Sequence, residues 1–108
     1  MKYHVVMVTS PNRLTSEKLS KGLVNQKLAA CVSCVPGVIS RYWWKGKVET
    51  NREELLIIKT TKSKLSVLTR WIKANHPYQV CEVLFLPISG GNPDYLKWID
   101  QSLNSRQK

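Results

Sequence analysis

The chain has 108 residues and 43% hydrophobic content, which suit a single domain (residues 1–108) with one modest core. Seventeen Lys and Arg against seven Asp and Glu give a formal charge of +10, which attracts anions, acidic proteins or nucleic acid without naming any of them. The cations are spread along the chain rather than gathered in a block, which argues against a disordered basic arm that binds nucleic acid.

The amino-terminal segment predicts a β-strand at residues 3–9, because a β-branched run there ends at the turn Ser10-Pro11-Asn12. Its apolar run, Val5 to Val8, has only four residues, which is too short for a secretory signal or a membrane span. The three cysteines cannot all pair within one chain, and reduced thiols fit the cytoplasm. We therefore expect a cytoplasmic protein without a membrane segment.

A helix is predicted after this turn, capped by Asn12 or Thr15 and running to about Gln26. A long extended stretch then begins at Leu28. It is interrupted at Pro36-Gly37, where a bend or bulge is expected. The stretch continues into a motif rich in aromatic residues.

This motif, RYWWKGK at residues 41–47, holds three of the nine aromatic residues of the chain. Lys45-Gly46 is a two-residue turn candidate, and such a turn sends Trp43 and Trp44 to opposite faces of a hairpin. A stacking platform for nucleic acid needs its rings on one face, so the alternation favours rings of Tyr42, Trp43 and Trp44 that pack within and between subunits. The predicted register places Trp44 opposite Lys47, Trp43 opposite Val48 and Tyr42 opposite Glu49.

The second half of the chain predicts a returning strand at 47–60 and a helix that Ser63 caps and Asn75-His76-Pro77 stops. A strand at 80–88 and a helix from Asn92-Pro93 follow. The order β-α-β-β-α-β-α is the α+β, ferredoxin-like arrangement with an added C-terminal helix. Its helices are expected to cover one face of the sheet, so the other face meets solvent or another subunit.

Three motifs that carry chemistry in other proteins have simpler interpretations here. Cys31 and Cys34 have CxxC spacing but lie in strand-type sequence, where residues three apart face opposite ways, and zinc would need a second pair that Cys81 alone does not supply. His76 at a helix end is, by itself, typical of a cap or a packed side chain. Residues 90–93 (GGNP) lack phosphate-loop spacing, and no nucleophile, base and orienting group occur together.

Several short motifs follow one another along nearly the whole chain. They are LAACV (28–32), PG (36–37), YWWKGK (42–47), KT (59–60), HPY (76–78), Glu82 before an apolar strand, LP (86–87) and GNPDYLKWI (91–99). In this order and spacing they resemble the CutA divalent-cation-tolerance family. The resemblance implies a ferredoxin-like homotrimer, related in architecture to the PII signalling proteins, with a role linked to copper and other divalent ions and no established catalytic activity.

The resemblance also implies candidate metal ligands. In some members of the family copper binding is assigned to a cysteine at the end of the first strand and to two adjacent histidines before Pro-Tyr. The matching positions here are Val8, Asn75 and His76, so His76 alone keeps a donor suited to copper. Where the family often has proline before a glutamate, this chain has Cys81 beside Glu82, and the sequence leaves open whether Cys81 acts as a ligand. The predicted metal residues are His76, Cys81 and Glu82.

The leading hypothesis is therefore a cytoplasmic, trimeric, non-enzymatic protein of divalent-cation tolerance. It binds copper, another divalent cation or a small ligand at subunit clefts, and needs none of them to fold. Its expected partners are two further copies of the same chain. Binding to a membrane or to nucleic acid is not expected. Two alternatives stay open: a basic nucleic-acid-binding module, which salt-dependent binding to single strands would favour, and a scaffold that anchors another protein.

Overall fold

The helices and strands follow one another in the predicted order. The computed structural model describes residues 1–104, so the last four residues of the predicted domain lie outside the described part. Within that part, none of the helices combines the length and the hydropathy needed to cross a membrane. The elements are β1 (Tyr3–Ser10), α1 (Arg13–Asn25), β2 (Cys31–Trp44), β3 (Lys47–Thr61), a 3-10 turn (Lys62–Lys64), α2 (Leu65–Asn75), β4 (Leu84–Pro87) and α3 (Pro93–Asn104).

The four strands form one sheet in the order β2-β3-β1-β4. β3 lies between β1 and β2 and runs antiparallel to both, so β1 and β2 are parallel to each other and α1 crosses between them. β4 pairs antiparallel with the outer side of β1. This is the split βαβ arrangement, and the predicted α+β class is confirmed.

The β2–β3 hairpin has the predicted turn and the predicted interruption. Lys45 and Gly46 both have positive φ, 50° and 79°, as in the two-residue turns that match the natural twist of a hairpin. A bulge shifts the register between Val35 and Val38, and Gly37 lies within it with a φ of 75°. The bulge bends the long hairpin away from the body of the sheet.

α1 and α2 pack on one face of the sheet and enclose the main core. Alternate residues of β1 point to that face, where Val6 and Val8 are fully buried, each stabilising the fold by about 1.5–3 kcal/mol. The two helices approach closely at Gly22, where a Cβ would lie 2.4 Å from the ring of Trp71. The other buried core residues are Leu19, Leu23, Leu28, Ala29, Leu56, Ile58, Leu65, Leu68 and Ile72.

α3 covers part of the opposite face, so the expectation that the helices cover one face only is wrong. Tyr3 of β1 faces away from the main core, and its hydroxyl donates a hydrogen bond to Asp100 of α3. Lys2 pairs with the same carboxylate at 2.9 Å. Ile99 and Leu103 of α3 are buried outside the main core cluster, because an amphipathic helix stabilises the fold by burying its apolar stripe on a sheet.

The helix caps agree with the prediction at α1 and differ at α2. Asn12 caps α1 through its side-chain oxygen, which accepts from the backbone N–H of Thr15 at 2.8 Å. Ser63 does not cap α2. It lies in the 3-10 turn, its hydroxyl is 3.2 Å from that of Thr61, and α2 begins at Leu65.

β4 is shorter than predicted, since it begins at Leu84 rather than Val80. Continuing its register with β1 would place Glu82 opposite Thr9. The Thr9 carbonyl instead lies 2.7 Å from the imidazole Nε2 of His76. Because this contact occupies the carbonyl, the ladder ends there and the preceding segment is free to turn away from the sheet.

Candidate ligand-binding cleft

A cleft of about 780 Å³ opens between the β2–β3 hairpin and the segment that follows α2. Its volume lies within the range of small-molecule sites, roughly 300–1,000 Å³. The hairpin contributes residues 40–44 and Glu53, the segment contributes residues 77–80 and Glu82, and Thr9 of β1 lies between them. The cleft therefore exists because the segment between α2 and β4 does not join the sheet until Leu84.

Glu53 provides a buried carboxylate on this cleft, with only 5% of its surface exposed. The Tyr78 hydroxyl donates a 2.6 Å hydrogen bond to Glu53 Oε2. Burial raises the pKa of the Tyr78 phenol, and the hydrogen bond to Glu53 and the charge of that carboxylate raise it further. Tyr78 is therefore a neutral donor near pH 7, and it holds one oxygen of the buried carboxylate by a charge-assisted bond.

Glu82 provides a second carboxylate on the same cleft. Desolvation raises the pKa of the Glu82 carboxyl, and the nearby charge of Glu53 raises it further. No hydrogen bond or ion pair within residues 1–104 reaches the Glu82 carboxylate. Arg41 also lines the cleft but forms no ion pair with either glutamate within that part of the chain. The cleft thus carries negative charge without a bonded cation.

The aromatic rings of the hairpin divide between its two sides. Tyr42 and Trp44 lie on the same side as Glu53 and are each 37% exposed, whereas Trp43 points the other way and is 75% exposed. Two of the rings therefore share the Glu53 side of the hairpin, and the three do not form one stacking surface. The register is the predicted one: Trp44 pairs with Lys47, Trp43 with Val48 and Tyr42 with Glu49.

His76 is buried, and both of its ring nitrogens have partners. Nε2 lies 2.7 Å from the Thr9 carbonyl, and Nδ1 accepts from the backbone N–H of Tyr78 at 3.1 Å. A carbonyl can only accept, so the proton lies on Nε2 in this arrangement. A metal ion on Nδ1 would have to displace the Tyr78 N–H.

The predicted metal residues are not brought together within one subunit. Cys81 packs against the main core, Glu82 lines the cleft, and His76 borders a separate cavity of about 580 Å³ beside α1. At the positions matched to family ligands, Val8 is in the core and the Asn75 amide bonds to its own helix backbone. Within residues 1–104, no group of three or more His, Cys, Asp or Glu side chains is placed to hold a metal ion. Ligands shared between subunits stay a prediction.

The two cysteines of the CxxC motif both lie on β2 and face opposite sides, as their strand spacing predicts. Cys31 pairs with Lys59, whose Nζ is 3.7 Å from the sulfur. Cys34 pairs with the core residue Leu56, and burial raises the pKa of its thiol. All three cysteines are free thiols. The motif therefore does not form one two-cysteine site.

Glu53 is the cleft residue that the sequence analysis missed. It stands with Glu54 directly before the apolar run of residues 55–58. Two acidic residues at the start of a buried strand indicate that the fold brings donors or cations to them, because a buried carboxylate needs partners. Those partners are Tyr78 for Glu53 and Arg13, at 3.3 Å, for Glu54. They come from distant parts of the chain, so the sequence alone does not show them.

The fold and the cleft together define a class of protein: a small α+β chain with one four-stranded sheet and a cleft of ligand size between a long hairpin and the loop after its second helix. The chain belongs to the CutA1 divalent ion tolerance protein family, whose sequence model matches residues 4–102. The family resemblance drawn from the short motifs is therefore confirmed.

Similar proteins support the same assignment. Protein CutA 1, chloroplastic, of Oryza sativa subsp. japonica is 55% identical over 98 residues, which cover 91% of this chain and 55% of that protein. Divalent-cation tolerance protein CutA of Escherichia coli (strain HS) is 42% identical over 99 residues, covering 92% of this chain and 88% of that protein. The chain thus spans little more than half of the rice protein, and 61% of the Protein CutA homolog of Xenopus laevis.

Solved structures show the same fold. The crystal structure of CutA1 from Oryza sativa superposes with a TM-score of 0.93 at 51% identity, covering 98% of this chain and 97% of that one. The periplasmic divalent cation tolerance protein CutA of Archaeoglobus fulgidus superposes with a TM-score of 0.92 at 33% identity, covering 94% and 99%. By name, one relative is chloroplastic and another periplasmic, so the compartment differs within the family.

Proposed function

We propose that this protein acts in divalent-cation tolerance as a homotrimer without catalytic activity, and that it binds a metal ion or a small ligand at clefts between its subunits. Membership of the CutA1 family over residues 4–102 is the observation that carries the proposal. The proposal includes a cytoplasmic location, copies of the same chain as partners, and folding that does not depend on a bound metal.

The uncovered surfaces of a single chain support the trimer. β2 and β4 are the edges of the sheet, and the rings of Tyr42, Trp43 and Trp44 lie near the end of β2. Residues 84–86 of β4 are apolar and about half exposed. The sheet edges leave backbone groups unpaired, and the aromatic side chains leave apolar surface exposed to water. A closed trimer would cover both.

The proposed metal role is that copper or another divalent cation binds weakly, through His76 with Cys81 or Glu82 of a neighbouring subunit. Two hydrogen bonds of His76 support weak binding, because a metal ion must compete with the Tyr78 N–H for Nδ1. The Glu82 carboxylate has no hydrogen bond or ion pair within residues 1–104, and this supports the proposal that it is available as a ligand.

Two measurements test the proposal. Native mass spectrometry of freshly purified protein should show a species of three times the 12.4 kDa subunit mass, with or without retained metal. Expression in an Escherichia coli strain that lacks its own CutA should change growth in the presence of copper salts, with the Escherichia coli protein as the positive control. A monomer that leaves growth unchanged would contradict the proposal.

A further inference from the structure

The folded chain gathers on one face many of the cations that are scattered along its sequence. Eight of its seventeen Lys and Arg lie in the segments 13–27 and 62–73, which contain α1, the 3-10 turn and most of α2. The same segments contain one acidic residue, Glu17. Both helices bury their apolar stripe against the sheet, so their charged residues lie on the outer side. The exposed cations of this basic face are Arg13, Lys18, Lys21, Lys62, Arg70 and Lys73.

Most cations of the basic face have no acidic neighbour. Lys21 pairs with Glu17 at 3.4 Å, and Arg13 pairs with Glu54 at 3.3 Å. The other four exposed cations form no ion pair within residues 1–104, and they are Lys18, Lys62, Arg70 and Lys73. A surface that carries one sign of charge attracts partners of the opposite sign and steers their encounter. The basic face therefore favours an anionic partner.

A groove opens on the basic face between the start of α1 and the end of α2. It is the cavity of about 580 Å³ that His76 borders, with Leu14, Thr15 and Lys18 on one side and residues 74–77 on the other. Leu14 is 81% exposed, and Lys73 directly precedes the second set of lining residues. Among residues 1–104, no Asp or Glu lines the groove. The groove thus offers apolar contact with cations beside it.

We propose that this groove binds an acidic peptide segment of a partner protein, with an apolar side chain against Leu14 and carboxylates beside Lys18 and Lys73. This inference goes beyond the proposed function and does not depend on it. The contacts proposed for the trimer involve the rings of residues 42–44 and the apolar residues 84–86, which all lie on strands. The outer side of α1 and α2 therefore stays available in the trimer.

Two other anionic partners fit the groove less well. Single-stranded nucleic acid stacks its bases on aromatic rings, and within residues 1–104 no Phe, Tyr or Trp lines the groove. An anionic membrane requires a helix with a continuous apolar face. On α1 the exposed apolar residues Leu14 and Val24 are ten positions apart, or about 15 Å along the helix, and Lys18 and Lys21 lie between them. A short acidic segment with one apolar anchor matches both the groove and its charges.

Binding of labelled synthetic peptides to the full protein tests the inference by fluorescence anisotropy near physiological salt. The probe is a fluorescein-labelled peptide with glutamates on both sides of one leucine, and it is expected to bind saturably. The same peptide with serine in place of leucine should bind about fivefold more weakly, because it loses the apolar contact. A peptide with lysines in place of the glutamates should not bind. Equal binding of the glutamate and lysine peptides overturns the inference.

Matched pairs of charge variants locate the site. Lys18→Gln combined with Lys73→Gln should weaken binding of the glutamate–leucine peptide about tenfold, because both cations beside the groove are lost. Lys45→Gln combined with Lys97→Gln removes the same charge from the exposed hairpin turn and from the exposed side of α3, and should leave the affinity within twofold. Circular dichroism checks that both variants fold. Equal losses in the two pairs would mean that net charge alone attracts the peptide, and would overturn the site.

The apolar contact has its own variant. Leu14→Ala should remove the preference for the leucine peptide over the serine peptide and leave the affinity of the serine peptide within twofold. Leu14 is exposed, so the change is not expected to affect folding. A preference that persists in Leu14→Ala contradicts the placement of the anchor.

Two further probes decide which class of anion the face prefers. They are a labelled single-stranded oligonucleotide and vesicles that contain phosphatidylserine. Both are expected to bind more weakly than the glutamate–leucine peptide at the same salt concentration. Tighter binding of either probe, with the same dependence on Lys18 and Lys73, assigns the face to nucleic acid or to a membrane and overturns the assignment to a protein partner.

Discussion

The imidazole Nε2 of His76 lies 2.7 Å from the backbone carbonyl of Thr9, and this contact stands where β1 and β4 would otherwise continue to pair. The same ring accepts a hydrogen bond from the backbone N–H of Tyr78 through Nδ1. His76 thus fixes the start of the loop that carries Tyr78 and Glu82 to the cleft. The residue predicted from the sequence to be a metal ligand therefore positions the loop that lines the cleft.

The first prediction concerns stability. His76→Ala should lower the free energy of unfolding by about 1–3 kcal/mol, because the Thr9 carbonyl and the Tyr78 N–H each lose a partner. Urea unfolding monitored by circular dichroism measures the change. Lys73→Ala, an exposed change on the same helix, should stay within about 0.5 kcal/mol of the wild type. Equal losses in the two variants would mean that the two hydrogen bonds contribute nothing.

The second prediction concerns copper. The wild-type protein should bind copper weakly, and His76→Ala should remove most of that binding, since imidazole is a good copper ligand while Val8 has no donor atom and the Asn75 amide is a poor one. Isothermal titration calorimetry on metal-free protein measures both affinities. A His76→Ala variant that binds copper as tightly as wild type would remove this residue from the metal site. Its folding should be checked first, because the same change is expected to lower stability.

The sequence predicted the hairpin well because its determinants are local. Gly46 adopts the positive φ that a two-residue turn requires. A turn of fixed length sets the register of the residue pairs between the two strands that it joins. The cleft was not predictable in the same way. The contacts that form it join Glu53 to Tyr78 and Thr9 to His76, which are 25 and 67 residues apart, and no local pattern encodes which distant donor reaches a given acceptor.

The predicted starts of β2 and α2 were both wrong, and for similar reasons. The extended stretch was expected from Leu28, but β2 begins at Cys31, because the Leu28 carbonyl accepts from the Thr60 hydroxyl at 2.7 Å rather than from a strand partner. At α2, Ser63 had the residue type of a cap, yet its hydroxyl contacts that of Thr61. In both places a side-chain hydrogen bond replaced the regular backbone pattern, as Ser and Thr often allow.

A third prediction concerns the packing of α1 on α2. Gly22→Ala should destabilise the protein by about 1–3 kcal/mol, because the new Cβ would lie 2.4 Å from the Trp71 ring and either helix must shift. Chemical denaturation gives the change. Gly90→Ala is the control, since a Cβ there meets nothing within 4 Å. A Gly22→Ala variant as stable as the control would show that the Trp71 ring moves aside without cost.

A fourth prediction concerns pH. The pKa of Glu82 is raised in the folded protein above its ordinary value of 4.5, mainly by desolvation and further by Glu53, so folding favours the protonated form. The stability that this protonation supplies is fully present below pH 4.5 and is lost as pH rises through the raised pKa. Glu82→Gln, which stays uncharged, should therefore raise the thermal unfolding midpoint at pH 7 and lose that advantage below pH 4.5.

Glu17→Gln serves as the control for this pH experiment. Glu17 is ion-paired with Lys21 at 3.4 Å on the surface of α1, so its loss should give no gain at pH 7. The other ionisable groups that line the cleft, Arg41, Tyr42, Glu53 and Tyr78, are unchanged in both variants. A gain in Glu82→Gln that persists at pH 4 would trace the effect to packing rather than to ionisation.

The last prediction concerns assembly through the hairpin. Trp44→Ala and Trp43→Ala should each weaken the trimer, by about 2 kcal/mol or more if the rings are central to the interface, since large aromatic side chains dominate such contacts. Light scattering over a dilution series from micromolar concentration downward measures the dissociation. Leu14→Ala is the control, because Leu14 is 81% exposed on α1 and away from the hairpin. A wild-type chain that is monomeric at micromolar concentration, or variants that dissociate no more readily than the control, would contradict the role given to these rings.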